Sequence, residues 1–357
     1  MLENLHIRNF TVFAKADFEF RQGLNVIVGT NGTGKSHVLK LGYVVARAGA
    51  KIWSEAKAAQ TVRDWQVKLA SRLDDVFQPE SLGKLVRHGS KPSPAHIQAE
   101  FAGNVPAKID FSFSASAAKF SLLGKQYVTV KDFPKGLALA PTIFIPPKEV
   151  LTMAWLREQY DLRVMAVDST YPALLYLLES PPSRKLTLDA EKALALLEQI
   201  LGGRVEKEGD RFYLTSAKRS RVEMNLVAEG MRKFGMLEKL LRNGSLTATN
   251  TLFWDEPEAN LNPALLRKLA ALLVMLSAQG FQIILATHSL FLLKEFHVLA
   301  QREKTLIRYF GLFEGPAGDT QVEVTDDFET LEHIAALDAE LEQTVDFQQA
   351  LDQEDAD

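Results

Sequence analysis

The sequence predicts an α/β fold: a mixed, mainly parallel core sheet with an N-terminal antiparallel β subdomain and a helical insert. Three observations carry that reading. The stretch Gly29-Thr-Asn-Gly-Thr-Gly-Lys-Ser36 stands between the apolar run Leu24 to Val28 and a segment with helical spacing. A second apolar run, Thr251 to Trp254, ends in the adjacent carboxylates Asp255 and Glu256. From Val227 onward, helical segments alternate with buried-strand runs, as in a parallel sheet covered by helices.

At 357 residues, 46% of them hydrophobic, the chain can supply one large domain or two ordinary ones. It contains no cysteine, which excludes disulfides, zinc hooks and thiol nucleophiles and suits a reducing compartment, so the expected location is the cytoplasm. No stretch approaches the roughly 18 apolar residues needed to span a bilayer, and the start of the chain lacks a basic segment followed by an apolar run; a membrane role would need a partner. The net charge of −4 is unevenly spread, because no Lys or Arg follows Arg308 and residues 336–357 hold eight acids. Such a tail repels nucleic acid and is expected to be solvated and partly disordered.

Residues 2–28 place apolar side chains at Leu5, Ile7, Phe10, Val12, Phe18 and Phe20 before a continuous apolar run. This predicts short antiparallel strands leading into one buried strand. Val38, Leu39, Leu41, Val44 and Val45 predict a helix from Ser36 to Ala50. Residues 51 to 85 read as helical and charged, and Ser90 to Pro94 as a connector. Ala99 to Phe101, Ile109 to Phe113, Lys119 to Leu123 and Gln126 to Val130 predict a meander, followed by the buried run Thr142 to Ile145. Residues 149–201 read as helices, among them Thr187 to Leu201, which Gly202 and Gly203 end. Val205 to Thr215 reads as a hairpin, Val227 to Leu241 and Pro263 to Ser277 as helices, and Phe281 to Ala286 as a buried strand. No repeat and no sustained heptad pattern is visible. The expected divisions are a first lobe, 1–150, with a helical insert at 51–94; a helical and hairpin insert, 151–220; a second lobe, 221–313; and an acidic tail, 314–357.

Gly29 to Ser36 satisfies G-x-x-x-x-G-K-[ST]. Its glycines let backbone N–H groups turn toward phosphate oxygens, and the following helix N-terminus adds positive potential. Lys35 would meet the β- and γ-phosphates and Ser36 would ligate Mg²⁺. The candidate nucleotide contacts are Gly29, Thr30, Asn31, Gly32, Thr33, Gly34, Lys35, Ser36 and His37. At the end of the strand 251–254, Asp255 would hold Mg²⁺ through water and Glu256 would polarise the attacking water. His288 ends the next buried strand, where an imidazole can sense the γ-phosphate.

Together these motifs resemble the ABC-type P-loop ATPases, in particular the SMC/RecF/OLD branch. Leu5-His-Ile-Arg-Asn-Phe-Thr-Val-Phe13 is similar to the I-x-N-F-x-x-F opening of that branch, and Asp255 to Pro263 is similar to its Walker B and D-loop run, with Asn260 to Asn262 as the D-loop. Asn225 to Lys233 stands where the family has its signature L-S-x-G-[EQ]; Ala228 takes the place of the serine, and Glu229 and Gly230 complete the turn-permitting element. Ile143 to Val150 is similar to the I-P-P-x-E stretch of small ATPases of this branch, without the Q-loop glutamine. Glu149 is either a metal- or water-side group, or Pro146-Pro147 only ends a strand. The resemblance covers about 1–50 and 220–313.

The resemblance implies ATP and Mg²⁺ as cofactors, with Lys35, Glu256 and His288 as catalytic residues and Ser36 and Asp255 as metal ligands. Ala228, Glu229, Gly230 and Asn260 would reach nucleotide across a homodimer or higher oligomer. It also implies an OLD-like ATPase module without a TOPRIM nuclease or coiled-coil arms, coupled to DNA or to a separate effector protein such as a nuclease or toxin, in defence against phage or in DNA repair. A basic cluster, Lys218, Arg219 and Arg221, is the candidate DNA contact, and the segment Lys84 to Lys91 with Arg87 and His88 is a looser one. The second class is a slow-turnover nucleotide switch that controls a partner without binding DNA. A transporter ATPase and a small-molecule kinase fit less well.

Overall fold

A computed structural model describes residues 1–49, 61–89, 93–103, 106–117, 128–133, 141–154, 156, 167–216, 221–333, 343 and 345–347. The N-terminal alternation forms β1 (Leu2–Phe10) and β2 (Phe13–Glu19), which pair antiparallel. With β4 (Ala95–Phe101), β5 (Ala107–Phe113) and β6 (Thr129–Asp132) they make an antiparallel sheet of order β2-β1-β4-β5-β6. The period of two sends Leu5 and Ile7 inward and leaves His6 and Arg8 toward solvent. The expected strand at Lys119 to Leu123 lies outside the described residues, as does the start of Gln126 to Val130.

The core sheet contains β3 (Leu24–Gly29), β7 (Thr142–Ile145), β11 (Thr251–Asp255), β12 (Gln282–Thr287), β13 (Ile307–Glu314) and β14 (Thr320–Thr325), in the order β14-β13-β3-β12-β11-β7. All neighbours are parallel except β13 and β14. Around it lie α1 (Lys35–Gly49), α2 (Val62–Phe77), α3 (Thr170–Leu178), α4 (Leu188–Leu201), α5 (Glu229–Arg242), α6 (Pro263–Ala278) and α7 (Leu290–Glu303). Between α4 and α5 a small antiparallel sheet forms from β8 (Arg204–Glu208), β9 (Arg211–Thr215) and β10 (Val222–Glu223).

The central strands are buried on both faces, which is why they read as continuous apolar runs. Phe253, Ile284, Ala286 and Phe310 face one core, shared with α1, α2 and the antiparallel sheet. Leu252, Trp254, Ile283 and Leu285 face a second core, shared with α3 to α7. Each large side chain so buried contributes about 1.5–3 kcal/mol. Two caps fix helix starts near the carboxyl ends of these strands. The Asn262 side chain accepts from the Leu265 N–H at 2.9 Å, with Pro263 in the first helical turn of α6, and Ser289 accepts from Leu292 at 3.3 Å to open α7.

The structure departs from expectation at two places. Residues 314–357, read from their charge as an acidic tail, contribute β14, which pairs with β13 from Tyr309↔Thr325 to Glu314↔Thr320. Alternating Thr320, Val322 and Val324 supply a strand pattern that the surrounding acids mask. The segment after His288 forms α7, for which the sequence reading has no helix. Among the described residues no helix is long and apolar enough to cross a membrane.

Candidate nucleotide site

The parallel strands β3, β12 and β11 lie side by side, with Thr287 opposite Val28 and Asp255 opposite Ala286. Their carboxyl ends therefore open at one edge of the sheet, where open α/β sheets hold ligands. The turn after β3 takes left-handed backbone at Gly32 and Gly34, with φ of 86° and 92°. A Cβ on Gly34 would stand 2.6 Å from Val12 Cγ2 and 2.8 Å from the Phe13 ring, so only glycine fits that close approach. The Thr33 hydroxyl donates to Thr30 O at 2.8 Å, and the Lys35 ammonium donates to the carbonyls of Gly29 and Thr30 at 2.6 and 2.9 Å. Burial pushes the Lys35 pKa down, against the pull of Glu256, Asp255 and Glu258.

Ser36, on the first turn of α1, lies close enough to Asp255 to lower its pKa. Burial, with a smaller contribution from Glu256, pushes the Asp255 carboxyl up to about 6, opposed by Ser36, Lys40 and Lys35. Its Oδ1 is buried without a hydrogen-bond partner. A buried carboxylate oxygen left open beside a hydroxyl fits a hard divalent cation, so Ser36 and Asp255 would hold Mg²⁺. A cation bound there would neutralise charge developing on a phosphate.

Past Asp255 the chain turns sharply. Glu256 has φ 48° and Asn260 φ 62°, both in the region sparsely used by non-glycine residues. The Glu256 N–H donates to Ala286 O at 3.0 Å. Glu258 is buried, and its Oε1 accepts from the Thr287 hydroxyl at 2.6 Å and from the His288 N–H at 3.0 Å. The half-exposed His288 ring places Nδ1 3.7 Å from Glu256 Oε1 and 3.6 Å from Glu258 Oε1.

The segment expected as the signature opens α5 with Ala228 as N-cap, which makes no side-chain cap bond. Its first turns grip the loop after β11. Asn260 Nδ2 donates to Glu229 Oε1 at 2.8 Å, and a Cβ on Gly230 would meet Asn260 O at 2.9 Å. Lys233 Nζ donates to the carbonyls of Glu256 and Pro257, both at 3.2 Å. Burial pushes Lys233 down to about 8, against the attraction of Glu258, Glu229, Glu256 and Glu149. Arg232 pairs with Glu149 at 3.4 Å and donates to Val227 O and Asn225 O.

Glu149 is buried, accepts from Leu151 N–H and the Thr152 hydroxyl, and has its pKa raised chiefly by burial. These bonds make it a strut between the end of β7 and α5, beside the segment expected as the signature. His37 packs its ring against Phe77 of α2 at a centroid distance of 6.0 Å, with Nδ1 buried and unpartnered. This orientation places its ring on the α2 side of α1. Lys40, 2.6 Å from Asp168, and Tyr171 stand within electrostatic reach of Asp255; the sequence singled out neither. In the basic cluster, Lys218 and Arg219 lie outside the described residues, whereas Arg221 is engaged: it pairs with Glu208 and stacks on Tyr213 at 3.7 Å. Lys84 lies 3.9 Å from Glu80.

Residues 153–294 match the family model described as "AAA domain, putative AbiEii toxin, Type IV TA system", and residues 4–40 match one described as "AAA domain". A comparison with curated proteins gave no match. Among solved structures, an SMC head bound to the C-winged helix domain of ScpA superposes with TM-score 0.59 at 13% identity, over 93% of this chain and 99% of that one. The SMC head domain from Thermotoga maritima gives 0.52 at 12% identity, over 91% and 98%. An SMC head with an extended coiled coil, bound to the C-terminal domain of ScpA from Pyrococcus furiosus, gives 0.50 at 12% identity, over 98% and 99%. The fold is thus that of a P-loop ATPase. Within that class it is of the SMC/ABC head type, with an antiparallel N-terminal sheet packed against a mainly parallel one.

Proposed function

We propose that the chain is a Mg²⁺-dependent ATPase that closes as a head-to-tail dimer on nucleotide and transmits that closure to a separate effector protein or to DNA. The observation that carries this reading is the convergence of Lys35, Ser36, Asp255, Glu256 and His288 at the carboxyl ends of three adjacent strands. Lys35 and the loop N–H groups bind the phosphates. Glu256 orients the attacking water and takes its proton, and His288, held from behind by Glu258, contacts the γ-phosphate side. Ala228, Glu229, Gly230 and Asn260 form the surface that a second copy's nucleotide would meet.

The pairing of Arg221 with Glu208 and Tyr213 favours an effector protein over direct DNA contact at that hairpin. The solved SMC heads bound to parts of ScpA, and the matched family's description as "putative AbiEii toxin, Type IV TA system", support a protein partner. A cytoplasmic role in defence against phage, or in repair, belongs to the same reading. A slow-turnover switch is the second reading. It is favoured by the absence of a hydroxyl at Ala228, which leaves the α5 N-terminus without a side-chain cap.

Turnover by the purified chain, with and without double-stranded DNA across a salt series, separates these readings. Salt-sensitive stimulation supports DNA coupling, while slow turnover indifferent to DNA supports the switch. Glu256→Gln is expected to accumulate a nucleotide-bound dimer. Light scattering that shows an unchanged monomer with ATP overturns the dimer reading.

A further inference from the structure

We infer that Lys233 is a positioning residue for Glu256, holding the loop that carries the general base in its left-handed turn; the inference rests on the hydrolysis reading above. Glu256 has φ 48°, a conformation that costs of order 1–3 kcal/mol in a non-glycine residue and persists only where the surroundings over-determine it. Here its N–H donates to Ala286 O at 3.0 Å, and its carbonyl accepts from the Ala259 N–H at 3.2 Å. A further restraint on its backbone is the Lys233 ammonium, which also bonds the Glu256 carbonyl and then the next carbonyl, that of Pro257.

Lysine is almost never fully buried without a partner, yet Lys233 is 1% exposed. Its two hydrogen bonds go to backbone carbonyls, not to a carboxylate. Four carboxylates, Glu258, Glu229, Glu256 and Glu149, surround it and make a cation tolerable there. An ammonium spanning two consecutive carbonyls fixes the peptide planes on both sides of Pro257, and so fixes the direction in which the Glu256 side chain leaves the backbone. Lys233 sits one turn into α5, and Glu229 at the start of that helix holds Asn260 from the other end of the same loop. The helix that opens with the signature segment thus clamps its own chain's base at two points. Lys233 acts through Glu256 and has no contact with phosphate to make.

The test compares Lys233→Met, which keeps the apolar stem and removes the charge, with Lys233→Gln, which keeps a donor. In Lys233→Met, kcat should fall roughly 10- to 100-fold while KM and the dissociation constant for a fluorescent ATP analogue stay within about twofold. Lys233→Gln should recover part of kcat. Amide hydrogen exchange over residues 255–260, measured without nucleotide, should accelerate in Lys233→Met and less in Lys233→Gln. Wild-type kcat in Lys233→Met, affinity lost in step with kcat, or unchanged exchange in that loop each overturns the inference. If circular dichroism shows Lys233→Met unfolded, Lys233→Gln against wild type carries both comparisons. A wild-type chain that binds ATP without turning it over refutes the hydrolysis reading instead, and the exchange measurement alone then decides whether Lys233 holds the loop.

Discussion

Glu258 accepts a 2.6 Å hydrogen bond from the Thr287 hydroxyl, joining the loop after β11 to the end of β12. The same oxygen takes the His288 N–H, so one buried carboxylate fixes the backbone on which His288 is presented. Glu258→Ala leaves a hydroxyl and an amide without their acceptor and should lower unfolding free energy by about 1–3 kcal/mol, with slower turnover. Glu258→Gln keeps an acceptor oxygen and should lose less on both counts. Denaturant titration beside a turnover assay checks the order; equal stability of Glu258→Ala and wild type would contradict it.

Asp255 should destabilise the nucleotide-free chain near neutral pH. Its carboxyl is pushed up to about 6 by burial, against about 3.9 in an unfolded chain. Between those values the folded state keeps a proton that the unfolded state has lost, so the contribution is favourable below about 4 and is lost as pH rises through about 6. Asp255→Asn removes that loss. Without Mg²⁺, its unfolding free energy should exceed wild type by about 1–3 kcal/mol at pH 7.5, with the gain shrinking toward pH 4.5. Mg²⁺-dependent ATP binding should disappear in the same variant, as calorimetry can show.

Gly34→Ala should abolish nucleotide binding and destabilise the chain. The new methyl group would meet Val12 and Phe13 from a backbone at φ 92°, a combination of overpacking and strain worth about 1–3 kcal/mol. Gly32 also has positive φ, 86°, but a methyl group there would meet nothing within 4 Å. Gly32→Ala should therefore cost only the backbone term. Thermal unfolding of the two variants side by side tests the difference.

Arg232→Ala strands the buried carboxylate of Glu149, which the arginine meets at 3.4 Å. The expected loss is about 1–3 kcal/mol at pH 7.5. It should be smaller near pH 5, because burial already raises the Glu149 pKa and protonation relieves the unpaired charge. A loss independent of pH would assign the effect to the arginine's packing and its bonds to Val227 and Asn225.

The phosphate loop, Asp255, Glu256 and His288 were legible in the sequence because each follows a continuous apolar run that can only be a doubly buried strand, and strand ends are where such chemistry gathers. β14 was not legible, because Glu323 and the acids after it outweigh a three-residue alternation. Lys233 and Arg232 were equally hidden. On α5 they read as ordinary polar positions, and only the fold shows that Lys233 is fully buried against the carbonyls of Glu256 and Pro257 and that Arg232 pairs with the buried Glu149. For His37, adjacency to Ser36 suggests a ligand contact, and the fold adds what the sequence did not show, that the turn of the helix carries its ring to Phe77.

The β13–β14 hairpin also has a mechanical consequence. At its start β14 donates the Thr320 N–H to Val12 O at 3.2 Å, and the Val12 side chain is the close neighbour of Gly34. Tension on the chain beyond Thr325 would load the ladder between β13 and β14, which meets the phosphate loop at Gly29 through β13 and at Gly34 through Val12. That is a short, stiff load path from the C-terminal segment to the phosphate loop.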